Sequence, residues 1–113
     1  MKINEVEQLV GVTKRNIRFY EKEGLLSPGR TDNGYRDYGE ADVEALRKIK
    51  LLRKLSLEVG NISRLKAGEL TLSQALREQA AVLEADRGDL ERYAQVCLEM
   101  SRTEVDFGTL DPE

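Results

Sequence analysis

Residues 11–26, GVTKRNIRFYEKEGLL, constrain this chain more than any other stretch. Gly11 can take the left-handed conformation that ends a preceding helix. Thr13 is a good N-cap, because its hydroxyl accepts a hydrogen bond from a free amide two or three residues on. Ile17 and Tyr20 or Glu21 then recur at helical spacing, while Lys14, Arg15, Arg18 and Lys22 spread around the other faces. Gly24 supplies a C-terminal stop, with Leu25 able to fold back on the helix. A helix, a tight turn and a second helix with cations at its N-terminal end make a helix-turn-helix candidate.

The neighbouring segments extend this pattern. Asn4, with Glu7 three residues on, predicts a capped first helix over about Glu5–Val10, with Val6, Leu9 and Val10 inward. SPGRTDNGYRDY holds two turn signals, Pro28-Gly29 and Asn33-Gly34, and predicts a hairpin carrying Arg30, Tyr35, Arg36 and Tyr38. Such a hairpin reads as a wing, whose aromatic and Arg side chains can pack against sugars and bind phosphate oxygens, with Tyr38 the one expected in the core. Glu40 to Lys54 has an apolar stripe at Val43, Leu46, Ile49 and Leu52 or Arg53, with Lys50 outward and Lys54 as a phosphate candidate at its end. A short fourth helix is expected from Glu58 to Lys66, with Val59, Ile62 and Leu65 inward and Gly68 ending it. Thr71 and Gln74 then form a capping box.

From that box onward the periodicity changes. Leu76, Leu83, Leu90 and Cys97 recur every seven residues, and a patchier row of Gln79, Asp86, Tyr93 and Met100, opened by Leu72, runs beside them. A single helix cannot bury such a stripe on itself, so it seeks a partner, most simply a second copy. The dimerisation candidates are Leu72, Leu76, Leu83, Leu90, Tyr93, Cys97 and Met100.

Charge divides the chain in the same place. Residues 1–66 carry 14 Lys and Arg against 10 Asp and Glu, residues 67–113 carry 4 against 11, and the net charge is −3. A basic N-terminal part suits a phosphate-bearing partner. No apolar run approaches the roughly 20 residues of a membrane span, and the N-terminus does not read as a signal peptide, so a cytoplasmic location with no membrane partner is expected. With one cysteine and no histidine, neither a disulfide framework nor a metal site is expected, and no cofactor. No nucleophile stands with a base at useful spacing, so there is no catalytic candidate and an enzyme is not expected.

IRFYEKEGLL, followed by NGYRDYGEADVEALRKIKLLRKL and a long heptad helix, resembles the MerR family of bacterial transcription regulators. The resemblance implies a mainly α fold: a winged helix-turn-helix domain of four helices and a small β-hairpin wing, followed by a long coiled-coil dimerisation helix. The expected division is 1–68 for the DNA-binding domain, 69–104 for the helix and 105–113 for a flexible acidic tail. It implies an antiparallel homodimer through 71–103 on a pseudo-palindromic promoter operator, distorting the spacer between the −35 and −10 elements so that RNA polymerase engages both. Its DNA-binding residues are then Thr13, Lys14 and Arg15 at the start of the recognition helix, Arg18 and Tyr20 on the backbone, Tyr35 and Arg36 on the wing, and Lys54.

The chain departs from the family pattern at Ser56-Leu57-Glu58, where Gly-Phe-Ser is usual, so an acidic residue stands at the cap position beside the DNA. Segment 72–80 lacks the thiol of metal-sensing relatives. The chain reads either as part of a longer regulator or as a naturally short member. Two other functions compete: an excisionase-like DNA-bending factor, and a protein-interaction module pairing through the heptad helix.

Overall fold

A computed structural model describes residues 1–103 and 106–112. Glu104, Val105 and Glu113, which belong to the expected helix end and tail, lie outside the described residues. Five helices and one hairpin follow in order: α1 (Ile3–Val10), α2 (Lys14–Lys22), β1 (Gly29–Arg30), β2 (Arg36–Asp37), α3 (Glu40–Lys54), α4 (Val59–Lys66) and α5 (Leu72–Ser101). By internal packing the chain forms two units, 1–76 and 77–113. None of the described helices is long and apolar enough to cross a membrane.

The core of the first unit comes from one face of each helix. Val6 and Val10 of α1, Ile17 and Tyr20 of α2, Val43, Leu46 and Ile49 of α3 and Ile62 of α4 are buried together with Leu25, Leu26, Tyr38 and Leu57. These are the residues that the 3.6-residue spacing brings to one side of each helix. Leu9 is the exception: expected inward, it is 50% exposed, because Val6 and Val10 already fill the narrow stripe of an eight-residue helix.

Local caps set the boundaries. The Thr13 hydroxyl accepts the Asn16 amide at 3.2 Å, as its sequence position predicts. Helix α1 starts earlier than expected, with Lys2 rather than Asn4 as N-cap and the Lys2 amide donating to Glu5 Oε1 at 3.3 Å. Glu7 is thereby released from a capping role. Its carboxylate accepts the Lys14 amide at 2.8 Å, tying the end of α1 to the start of α2. Gly11 between them has φ 70°, the left-handed value that glycine tolerates best. Lys50, expected outward, is half-buried and donates to the Val10 carbonyl at 3.0 Å, which fixes α3 behind the turn.

The hairpin is short and antiparallel, pairing Gly29 with Asp37 and Arg30 with Arg36. The Thr31 amide donates to the Tyr35 carbonyl at 2.7 Å, and the Thr31 hydroxyl accepts the Tyr35 amide at 3.2 Å, closing the Asn33-Gly34 turn. At the other end, the Tyr38 amide donates to the Met1 carbonyl at 2.8 Å, so the N-terminus runs alongside the hairpin.

Ser56 alone among the described non-glycine residues has positive φ, 64°. It occupies the bend between α3 and α4, where the Arg53 guanidinium crosses to the Leu57 carbonyl at 2.6 Å. The expected capping box opens α5, with Thr71 Oγ1 accepting the Gln74 amide and Gln74 Oε1 accepting the Thr71 amide, both at 3.1 Å. In the second unit, the described part of the tail contains a local turn in which Asp106 Oδ1 accepts the Thr109 amide at 2.9 Å.

Candidate nucleic-acid interface

Helix α2 is fixed from behind, by Ile17 and Tyr20 in the core, so its polar faces point outward. Thr13, Arg15 and Arg18 are exposed and Lys14 is partly so. The N-terminal turn, capped by Thr13, thus presents cations together with the positive end of the helix dipole. Tyr20, expected at the DNA backbone, is a core residue with 7% exposure, its ring centroid 5.9 Å from that of Phe19.

The wing is held against α2 by a contact that no local sequence pattern encodes. Arg36 Nε donates to Glu21 Oε1 and Oε2, both at 2.7 Å, across 15 residues of chain. Glu21 raises the proton affinity of the guanidinium, first through this hydrogen bond and then through its charge. The carboxylate takes Nε, so this pair does not use the two terminal nitrogens of Arg36.

Lys2, Arg18, Arg30, Tyr35 and Arg36 come together around a cleft of about 400 Å³ at the foot of the wing. Of the residues expected to meet DNA, the structure therefore brings Arg18, Tyr35 and Arg36 to one cleft, with Thr13, Lys14 and Arg15 at the start of the same helix as Arg18. Lys54 is exposed at the far end of α3, a separate element. Lys2 was not singled out from the sequence as an interface residue, whereas Arg30 was placed on the wing. The lone Lys2 in the N-terminal segment gave no signal, whereas the hairpin motif had already marked Arg30. Tyr38 is buried, as its expected core role requires, at 1% exposure.

Helix α5 presents a second kind of surface. Leu72, Leu76, Leu83, Leu90, Tyr93 and Met100 are exposed, from 38% at Leu76 to 64% at Leu90, and Cys97 is exposed as well. Its other faces carry short-range ion pairs such as Glu84–Arg87 at 3.4 Å and Asp89–Arg92, which contribute little to stability in solvent.

Comparison with known proteins gives the arrangement its context. Residues 1–69 match the family model described as MerR HTH family regulatory protein. The heavy metal-dependent transcription regulator 2 of Rhizobium meliloti is 38% identical over 104 residues, which cover 91% of this chain and 71% of that protein. Among solved structures, the N-terminal part of MtaN, the Bacillus subtilis multidrug transporter activator, superposes with a TM-score of 0.77 at 24% identity, covering 91% of this chain and 99% of that one. HiNmlR, described as a MerR family regulator lacking the sensor domain and solved bound to promoter DNA, superposes with a TM-score of 0.61 at 23% identity, over 84% of this chain and 78% of that one.

Proposed function

This chain belongs to the MerR family of helix-turn-helix regulatory proteins, and we propose that it binds promoter DNA as a homodimer and regulates transcription there. One observation carries the reading: a capped basic helix and a wing arginine, locked together by the Glu21–Arg36 pair, form one cationic surface. A rigid helix-plus-wing unit matches a duplex in which the helix enters the major groove while the wing follows the backbone. Arg15, exposed in the first turn of α2, is assigned to a base edge. Thr13 and Lys14 stand beside it at the same helix start, Arg18, Tyr35, Arg36 and Lys54 are assigned to the phosphate backbone, and Tyr20 supports the helix from within.

The exposed apolar row of α5 is assigned to the homodimer. Two copies pairing antiparallel through 71–103 would carry two DNA-binding units, suited to a pseudo-palindromic operator. A pair of such units gripping both half-sites can stabilise a bent, untwisted spacer, and so bring separated −35 and −10 elements into register for RNA polymerase.

The test is a mobility-shift series on the DNA upstream of the gene, run at several salt concentrations beside sedimentation of the free protein. A dimer whose binding weakens steeply with salt, with Arg15→Ala losing sequence preference, supports the reading. A dimer that binds no promoter fragment would overturn it in favour of a protein-interaction module.

A further inference from the structure

The cleft at the foot of the wing opens between the first turn of α1, the middle of α2 and the hairpin. Three features of its wall point to an anion.

The first is a buried hydroxyl. Tyr38 lines the cleft, is 1% exposed, and its phenolic oxygen has no hydrogen-bond partner among the described residues. Buried polar groups in folded proteins are nearly always paired, so an orphan calls for an explanation. Burial also raises the proton affinity of this phenol, which keeps it a neutral donor.

The second is the start of α1. Ile3 and Asn4 are the first two helical residues and both line the cleft. Amides at these positions have no acceptor within the helix and sit at the positive end of its dipole.

The third is the charge. Lys2, Arg18, Arg30 and Arg36 surround the space. Arg30 and Arg36 lie directly opposite in the strand register, and only Arg36 of the two is paired with a carboxylate among the described residues. The neighbouring acids are engaged: Glu21 with Arg36, Asp37 with the Met1 amine, and Glu5 with the Lys2 amide.

We propose that this cleft seats one phosphate group of the bound duplex, held by Lys2 and Arg30, by the Ile3 and Asn4 amides and by the Tyr38 hydroxyl. The proposal rests on the DNA-binding reading above and adds Lys2, Arg30 and Tyr38 to the interface. In the free chain the hydroxyl is shut from water, so the phosphate reaches it only as the cleft wall opens. Insertion of the phosphate would lock the N-terminus of α1, the recognition helix and the wing to a single point on the backbone.

The experiment measures binding of the full chain to a mixed-sequence duplex, since a phosphate contact does not depend on sequence. Lys2→Ala and Arg30→Ala should each lower the slope of log affinity against log salt by about one. Tyr38→Phe should weaken binding about tenfold at unchanged slope, while raising the melting temperature of the free protein because the orphan hydroxyl is gone. A Tyr38→Phe protein that binds like wild type, or alanine variants that keep the full slope, would overturn the proposal and leave the regulator reading standing. Absence of salt-dependent binding by the wild-type chain would defeat both. In a second arm, inorganic phosphate is titrated without DNA while the Ile3 and Asn4 amide resonances are followed. Saturation at low phosphate, with the variants binding the duplex normally, would assign the cleft to a free oxyanion and overturn the backbone source.

Discussion

Arg36 Nε lies 2.7 Å from both carboxylate oxygens of Glu21, joining the hairpin to α2 across 15 residues of chain. A negative charge in the middle of a basic surface ought to oppose DNA binding. Its use as a brace explains its place there.

The brace makes a prediction whose sign separates the two roles. If Glu21 acted only as a charge, Glu21→Gln would strengthen DNA binding. Acting through Arg36, its loss should weaken binding several-fold and leave the helix content unchanged. Fluorescence anisotropy on a labelled duplex, with circular dichroism on the free protein, reads both quantities. Tighter binding would show that the pair does not position the wing.

Tyr38 sets a pH dependence. Burial is the main cause of its raised proton affinity, with the Glu21 charge next, against an ordinary value near 10.0. A phenol whose folded value exceeds its unfolded value contributes stability that is fully present below the unfolded value. That contribution falls as pH rises above about 10, where the unfolded chain ionises first, and is gone above the folded value. Thermal unfolding followed from pH 8 to pH 11 should therefore show a steeper loss for wild type than for Tyr38→Phe. Parallel curves would mean that the phenol titrates alike in both states.

Ser56 holds φ 64° at the bend between α3 and α4. A left-handed backbone costs a residue with a side chain roughly 1–2 kcal/mol. Ser56→Gly should accordingly stabilise the protein, by about 1 kcal/mol once glycine's greater freedom in the unfolded chain is subtracted. Urea denaturation gives the number, and a destabilised variant would contradict the account.

Glu58 is the N-cap of α4 but makes no side-chain cap bond. Serine there can accept an amide of the first turn, a change of about 1 kcal/mol. Glu58→Ser should therefore raise the denaturation midpoint. Under the DNA-binding reading it should also tighten duplex binding at low salt, by removing a negative charge from the α3–α4 junction. A variant more stable but no tighter would exclude that junction from the interface.

The apolar row of α5 predicts its own disruption. Leu83 is 40% exposed and Leu90 64%, unusual for leucines seven residues apart on one helix. Leu83→Lys with Leu90→Lys should turn a dimer into a monomer by sedimentation, with little change in helix content of residues 1–76 and loss of operator binding. A double variant that remains dimeric would move the interface elsewhere.

Sequence alone determined the local events, because each depends on neighbours a few residues apart. Thr13 and the Thr71–Gln74 pair announced their caps, Gly24 and Gly68 their stops, Asn33-Gly34 the hairpin, and Leu76, Leu83 and Leu90 an apolar row on one long helix. The family was legible too, since its motifs are runs of such local signals. Tertiary structure alone decided what depends on distance across elements. It moved the α1 cap from Asn4 to Lys2 and turned Glu7 to Lys14, drew Lys50 onto the Val10 carbonyl, and exposed Leu9 while burying Tyr20. It also paired Glu21 with Arg36 and gathered Lys2 and Arg30 beside an orphaned phenol. Periodicity says which face of a helix is apolar. Which charged side chain crosses to which partner follows only from the angles and separations at which those faces pack.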